Sequence, residues 1–277
     1  MAWPALAAAR RRDDRQRVPF FVDACQAGSV PRAALQALAD WPQWLATGPD
    51  QVTLTASDCD AALAEMNAAL RAQGWVKAWR DELFAVTDPA TGRHLAQTER
   101  AASRFWGTLT LGAHANGYVA DALGRPTHLW VAQRSLTKAT DPGMRDNLVG
   151  GGVPQGQTPL ETLVREGWEE AGLTPEQMAP ARPGRVLRLH RDIPEGLQLE
   201  DLHSFDLALP PGLVPQNQDG EVAGFECLPV AEALALAATG AMTVDAELVT
   251  LDFALRHRLL PPAEAELLGL ALSPLLA

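Results

Sequence analysis

Three glutamates, Glu166, Glu169 and Glu170, crowd into a single stretch between Arg165 and Gly172. On a helix advancing roughly 100° per residue, they fall within an arc of about 100° and share one face. Like charges at i,i+4 oppose helix formation, so the arrangement asks for a counter-charge. Hard divalent cations such as Mg2+ or Mn2+ take several oxygen ligands, and a carboxylate cluster supplies both oxygens and negative charge. An acidic face turned to solvent is the competing reading, and it is the commoner origin of such a run.

The helix that must carry these residues is well marked. Thr158-Pro159-Leu160-Glu161 reads as a capping box with proline at the first helical position. Leu160, Leu163 and Val164 follow at helical spacing, and Gly172 stands where a left-handed residue ends a helix. The pattern predicts a helix over 159–171. Just upstream, Gly150, Gly151 and Gly152 let a backbone approach a metal or a phosphate closely, or simply make a tight turn.

Read as one pattern, Gly151, Gln157, Arg165-Glu166, Glu169-Glu170 and Gly172-Leu173 resemble the Nudix box, G-x5-E-x7-R-E-U-x-E-E-x-G-U, where U is a bulky apolar residue. Two positions depart from it: Gln157 replaces the first glutamate, and Gly167 stands at the first U. The resemblance implies an α/β/α sandwich of the Nudix type within an overall α+β chain. It also implies metal ligation by Glu166, Glu169 and Glu170, with the Gly150 carbonyl as a further ligand and Glu166 orienting or deprotonating a water. Glu221, at a strand start, is either the additional carboxylate that Nudix enzymes often draw from a late segment or an exposed turn-flanking glutamate. The first motif glutamate commonly pairs with the motif arginine, so Gln157 weakens a support of Arg165, for which Glu161 and Glu169 at i±4 are alternative partners.

The stretches "ERAASRFWG" (99–107), "HANGYV" (114–119), "LWVAQRSLTKATDPGMRDNLVGGG" (129–152) and "LDFALRH" (251–257) are similar to a Nudix subgroup. It is related to the domain fused to thiamine pyrophosphokinase in some fungi and carries a separate N-terminal domain. That resemblance implies hydrolysis of thiamine diphosphate, or of its oxidised analogues, to the monophosphate and phosphate. Alternatives are a pyrophosphatase of ADP-ribose or another nucleoside diphosphate derivative, and a ligand-sensing module without turnover.

Other polar residues fit a phosphorylated small molecule or plainer roles. Arg134 and Lys138 either bind a terminal phosphate or are surface cations at a strand end. His114, Asn116 and Tyr118 alternate, so on a strand they project to one side; they line a polar cleft or pack in the interior. Asp206 meets a substrate ring or supports a loop. The uninterrupted stretch 114–118 at the junction suggests that the N-terminal module closes one side of the cleft and reads the organic end of the ligand.

The chain has 277 residues, too many for one Nudix fold, and 47% of them are hydrophobic. We divide it into an α+β unit over 1–112 and a Nudix domain over 113–277. The formal net charge of −11 argues against broad nucleic-acid binding, leaving a small phosphorylated substrate as partner and a monomer or homodimer as the expected state. Cys25, Cys59 and Cys227 lack metal or disulfide spacing. No run approaches membrane-spanning length, and the basic start lies in the wrong order for a secretory signal, so the expectation is a cytoplasmic protein with a mobile basic start.

Overall fold

The computed structural model describes residues 3–277. Helix α1 (Pro4–Ala8) is followed by strands β1 (Arg17–Val22) and β2 (Cys25–Pro31), helix α2 (Leu35–Leu38), and strands β3 (Leu45–Thr47) and β4 (Val52–Leu54). These strands form a sheet in the order β2-β1-β4-β3. Helix α3 (Cys59–Ala72), the hairpin β5 (Leu83–Thr87) and β6 (His94–Glu99), and the short α4 (Ala102–Trp106) complete the N-terminal unit. Phe20, Leu63, Met66, Phe105 and Trp106 are in its core, with the rings of Phe20 and Trp106 4.6 Å apart. Across residues 29–40, β2 runs on to Pro31, and only Leu35–Leu38 is α-helical.

The second sheet is built on β7 (Leu109–Ala120), followed by β8 (Pro126–Arg134), β9 (Arg145–Asp146) and β10 (Val149–Gly152). After α5 (Pro159–Ala171) and α6 (Pro175–Met178) come β11 (Arg182–Ile193), β12 (Gly196–Ala208) and β13 (Val222–Pro229), then α7 (Val230–Ala237), α8 (Val244–Arg256) and α9 (Pro262–Leu272). The order is β11-β12-β7-β8-β13, with β10 paired to β7 and β9 to β8. Strand β7 pairs in parallel with β12 along its length; its other edge pairs with β10 at residues 112–115 and with β8 at residues 117–120.

Alternation along β7 sorts the two faces. Leu111, Ala113 and Ala115 pack with the α5 side, whereas Asn116 and Tyr118 meet α8. The sheet therefore lies between α5 and α8. Among the described residues no helix is long and apolar enough to cross a membrane.

Of the start expected to be mobile, residues 1–2 lie outside the described residues, and the part from Trp3 to Ala9 is packed. Ala5 and Ala9 are buried in the core with Leu248, Leu251 and Leu272, and Ala5 N–H donates to Glu247 Oε1 at 3.0 Å. Small residues allow α1 to pack closely on α8, so residues 3–9 belong spatially with the second sheet. A cut at 112 also falls inside β7, with no linker between the units.

Candidate active site

The helix expected over 159–171 spans those residues. The Thr158 side chain accepts from Glu161 N–H while Glu161 accepts from Thr158 N–H, and Gly172 ends the helix at φ 64°. Packing then decides what the acidic face does. Glu166 and Glu170 are 8% and 5% exposed, so the face is not solvated. Two carboxylates held this close in the interior require compensating cations. Arg165 supplies one, donating to Glu166 Oε1 at 2.8 Å and Glu169 Oε2 at 2.7 Å. Lys138 supplies the other, donating to Glu170 Oε1 at 3.1 Å and pairing with Glu221. Lys138 thus joins a glutamate of α5 to the start of β13.

The glycine run is shaped by close approach. None of the three has a positive φ; it is a Cβ that would not fit. One added at Gly151 would collide with the Glu166 carboxylate, one at Gly150 would lie 2.6 Å from the His114 ring, and one at Gly152 would lie 2.6 Å from Phe84 and 3.2 Å from Arg100. Gly150 N–H also donates to Glu170 Oε2 at 2.9 Å. Likewise, a Cβ at Gly167 would lie 2.7 Å from Met178 Sδ, so glycine at the first U position admits α6.

Electrostatics follow from this burial. Burial pushes the Glu170 carboxyl up to about 7, against the pull of Lys138 and the Gly150 N–H and with repulsion from Glu166. Burial also raises Glu166, although Arg165 opposes it. At Glu221 the balance reverses: burial alone would raise its carboxyl, but Lys138, with Arg80 and Arg100, holds it below the ordinary value.

In front of the glycines lies a cleft of two joined compartments. One, of about 540 Å3, is lined by residues 150–152 together with His114, Arg134, Lys138 and Glu221. The second, of about 510 Å3, has Ala78, Ala101, Pro142, Met144, Ile193 and Pro194 in its walls. Both share Arg80, Arg100, Arg104, Thr140, Asp141 and Asp245. The cleft is therefore walled by both units of the chain.

A profile described as the NUDIX domain matches residues 112–250, half of the chain. The chain belongs to the NUDIX family. Residues 4–110 match a profile described as a domain of unknown function, DUF4743. Two Arabidopsis thaliana proteins are similar to this Nudix chain. Nudix hydrolase 20, chloroplastic, is 37% identical over 215 residues, covering 77% of this chain and 57% of that protein. Nudix hydrolase 24, chloroplastic, is 36% identical over 203 residues, covering 73% and 55%. The chain thus spans little more than half the length of these relatives. The crystal structure of DR0079 from Deinococcus radiodurans aligns at 25% identity and a TM-score of 0.47, covering 61% of this chain and 97% of that one.

The Nudix scaffold brings some candidate residues together and separates others. Glu166, Glu169, Glu170, Lys138, Glu221, Gly150 and Gly151 form one neighbourhood. Arg134 lines the cleft, but its donors go to Asp146 Oδ2 at 2.7 Å, Thr140 O at 2.8 Å and Asp141 O at 3.1 Å, bracing the loop after β8. His114 also lines the cleft; its Nδ1 stands 3.1 Å from Asn147 Oδ1. Two expectations need correction. Asn116 is buried under α8, donating to Val249 O and accepting from Asn147 Nδ2, both at 3.1 Å, so both ends of its amide are engaged there. Asp206 is held by Arg256, at 2.7 Å from Nη2, with His257 Nε2 at 2.8 Å, and it lines neither compartment. Gln157 accepts from Thr162 Oγ1 at 2.9 Å and does not face Arg165, while Glu161 is taken up by the cap.

The donor chemistry around α5 suits a hard divalent cation, being all carboxylate with the Gly150 backbone beside it. In this conformation Lys138 and Arg165 sit between the carboxylates. Among the described residues no three acidic, histidine or cysteine side chains converge on one point. Sequence reasoning also passed over Arg80, Arg100 and Arg104. Arg100 and Arg104 had a weak signal, their i,i+4 spacing at a helical turn; Arg80 had none.

Proposed function

We propose that this chain hydrolyses the phosphoric anhydride bond of a small-molecule diphosphate, with Mg2+ or Mn2+ as cofactor. The observation that carries the reading is the buried pair Glu166 and Glu170. Backed by Glu169 and reached by Glu221 through Lys138, it lies directly behind a glycine strand that walls a cleft. Buried charges bound this closely are costly, and a solvated helix face has no need of them.

Glu166, Glu169 and Glu170 would hold the metal, with Glu221 and the Gly150 carbonyl as further oxygen donors. When bound, such an ion neutralises charge on the diphosphate oxygens and makes a nearby water more acidic. Glu166 orients the attacking water and takes its proton as the oxygen bonds to phosphorus. The bridging oxygen leaves with the electron pair of the broken P–O bond. Residues 150–152, having no side chains, let Glu166 and His114 close against the strand, and Arg165 and Lys138 retain the carboxylates until the ligand and cation arrive.

For the substrate, the subgroup resemblance favours thiamine diphosphate or its oxidised analogues, and a second compartment with apolar walls suits an organic end. A phosphate-release screen across thiamine and nucleoside diphosphate derivatives, with and without Mg2+ and with products weighed by mass spectrometry, tests this. Preferential turnover of ADP-ribose would replace the thiamine reading. Tight binding without product would replace hydrolysis by ligand sensing.

A further inference from the structure

The two compartments differ in charge, and the difference lies at the seam between the units. The compartment beside the glycines is lined by five basic side chains, Arg80, Arg100, Arg104, Arg134 and Lys138, against seven acidic ones. The second is lined by five basic side chains against three acidic ones, Asp141, Glu195 and Asp245. An anion therefore needs cations to enter the first compartment, whereas the second favours it directly.

Most of the seam's cations are already paired. Arg100 donates to Glu82 Oε2 and Arg104 to Glu200 Oε2, each at 2.8 Å. Two are not: Lys77, which is exposed, and Arg80, whose backbone N–H donates to Glu99 Oε1 at 2.7 Å but whose guanidinium has no ion pair or hydrogen bond among the described residues. The loop carrying it is constructed rather than slack. Ala78 and Asp81 on either side are both left-handed at φ 57°, an unfavourable conformation for residues with a Cβ. Asp81 accepts from Trp79 Nε1 at 2.7 Å. The other oxygen of buried Glu99 accepts from Ala101 N–H at 2.6 Å and Ala102 N–H at 3.2 Å. One carboxylate thus ties the Arg80 loop to the start of α4, which carries Arg104, and Arg100 follows Glu99 in the chain.

We propose that the N-terminal unit, through Arg80, holds the phosphate of the ligand that lies farther from the α5 glutamates. Its role is to grip the anion at the seam, where sequence reasoning had it reading the organic end. Arg80 is chemically suited to this because a guanidinium offers two parallel donors to phosphate oxygens. Arg100 and Arg104 are engaged by Glu82 and Glu200, which leaves the Arg80 guanidinium as the one of the three open to an incoming anion. The identity of the ligand as a diphosphate rests on the function proposed above; the anion-binding role of Arg80 is tested without turnover.

The probe is methylenediphosphonate, which cannot be hydrolysed at its P–C–P bridge, titrated calorimetrically into the full chain with Mg2+ present. Arg80→Ala should weaken binding by about tenfold or more, the range for losing a charge-assisted hydrogen bond. Arg80→Lys should fall between it and the parent, because a point charge replaces a fork. Mg2+ affinity measured without the diphosphonate should not fall below the parent's, and the unfolding temperature should stay at the parent's value. Parent-like binding by Arg80→Ala, an equal loss of Mg2+ affinity, or no binding by the parent would each overturn the inference. A parent that binds the probe through Arg80 yet turns over no diphosphate would sink the hydrolase reading and leave this one standing.

Discussion

Helices α5 and α8 are both 13 residues long, pack on β7 from opposite faces and bury carboxylates. Two of these acids, Asp252 and Glu170, are neutralised in different ways. Asp252 of α8 is fully buried and accepts from Arg256 Nε, one turn along the same helix, at 2.6 Å, and from Ser204 Oγ of β12 at 3.1 Å. Arg256 also grips Asp206. Every partner there stands on, or at the end of, a regular element. On α5, by contrast, buried Glu170 takes its cation from Lys138, on the loop after β8, and that lysine is shared with Glu221. A charge closed by its own framework serves the fold; one closed by a loop residue on a cleft wall can exchange its partner for a ligand.

That contrast can be broken by substitution. The largest effect is expected at Asp252→Ala, which leaves Arg256 without one of its two buried carboxylates. We expect a loss of about 3 kcal/mol, the lower end for breaking a buried pair because Asp206 remains. Urea unfolding measures it, and activity per folded molecule should be retained. A stable variant with lost turnover would reverse the assignment of roles.

Next comes Glu170→Gln, expected to lower kcat by at least about 100-fold, the upper end seen even for groups one step removed from a metal, while unfolding stays near the parent. Saturating-Mg2+ kinetics at wild-type rate would remove Glu170 from the metal set. Gly151→Ala adds a Cβ where the Glu166 carboxylate lies. Displacing that side chain should cost about 1–3 kcal/mol in stability or transition-state binding. A parent-like kcat together with a parent-like melting temperature would show that the strand has room to shift.

The smallest effect sharpens the comparison at its edge. From the motif alone, Gln157→Glu restores an acid opposite Arg165. Since Arg165 already engages Glu166 and Glu169, and Gln157 accepts from Thr162, the change should stay within about 1 kcal/mol with no gain in turnover. A marked rise in activity would mean that Arg165 changes partners in the working enzyme.

Much of the framework was legible in the sequence because its causes are local. The bounds of α5 follow from Thr158, Pro159, Glu161 and Gly172, each acting within a turn of itself. The hairpin of β5 and β6 likewise forms around residues 88–92, where aspartate, proline and glycine favour a turn. The common side of His114, Asn116 and Tyr118 follows from strand alternation. Alternation names a side, however, and not what covers it: α8, more than 120 residues later in the chain, closes over Asn116, while His114, two residues earlier, remains at the cleft.

By itself, then, the sequence determined the helix that carries the glutamates, the glycines beside it and the family to which they belong, since spacing and capping act over a few residues. Only the tertiary structure decided that Glu166 and Glu170 are buried, that Lys138 bridges to Glu221, and that Asp206 serves Arg256. It also decided that Arg80, Arg100 and Arg104 of one unit face the glycine strand of the other. Each of these depends on contacts between segments far apart in the chain. There, desolvation and counter-charge set the state of a side chain, and no local spacing encodes which distant segment will supply them.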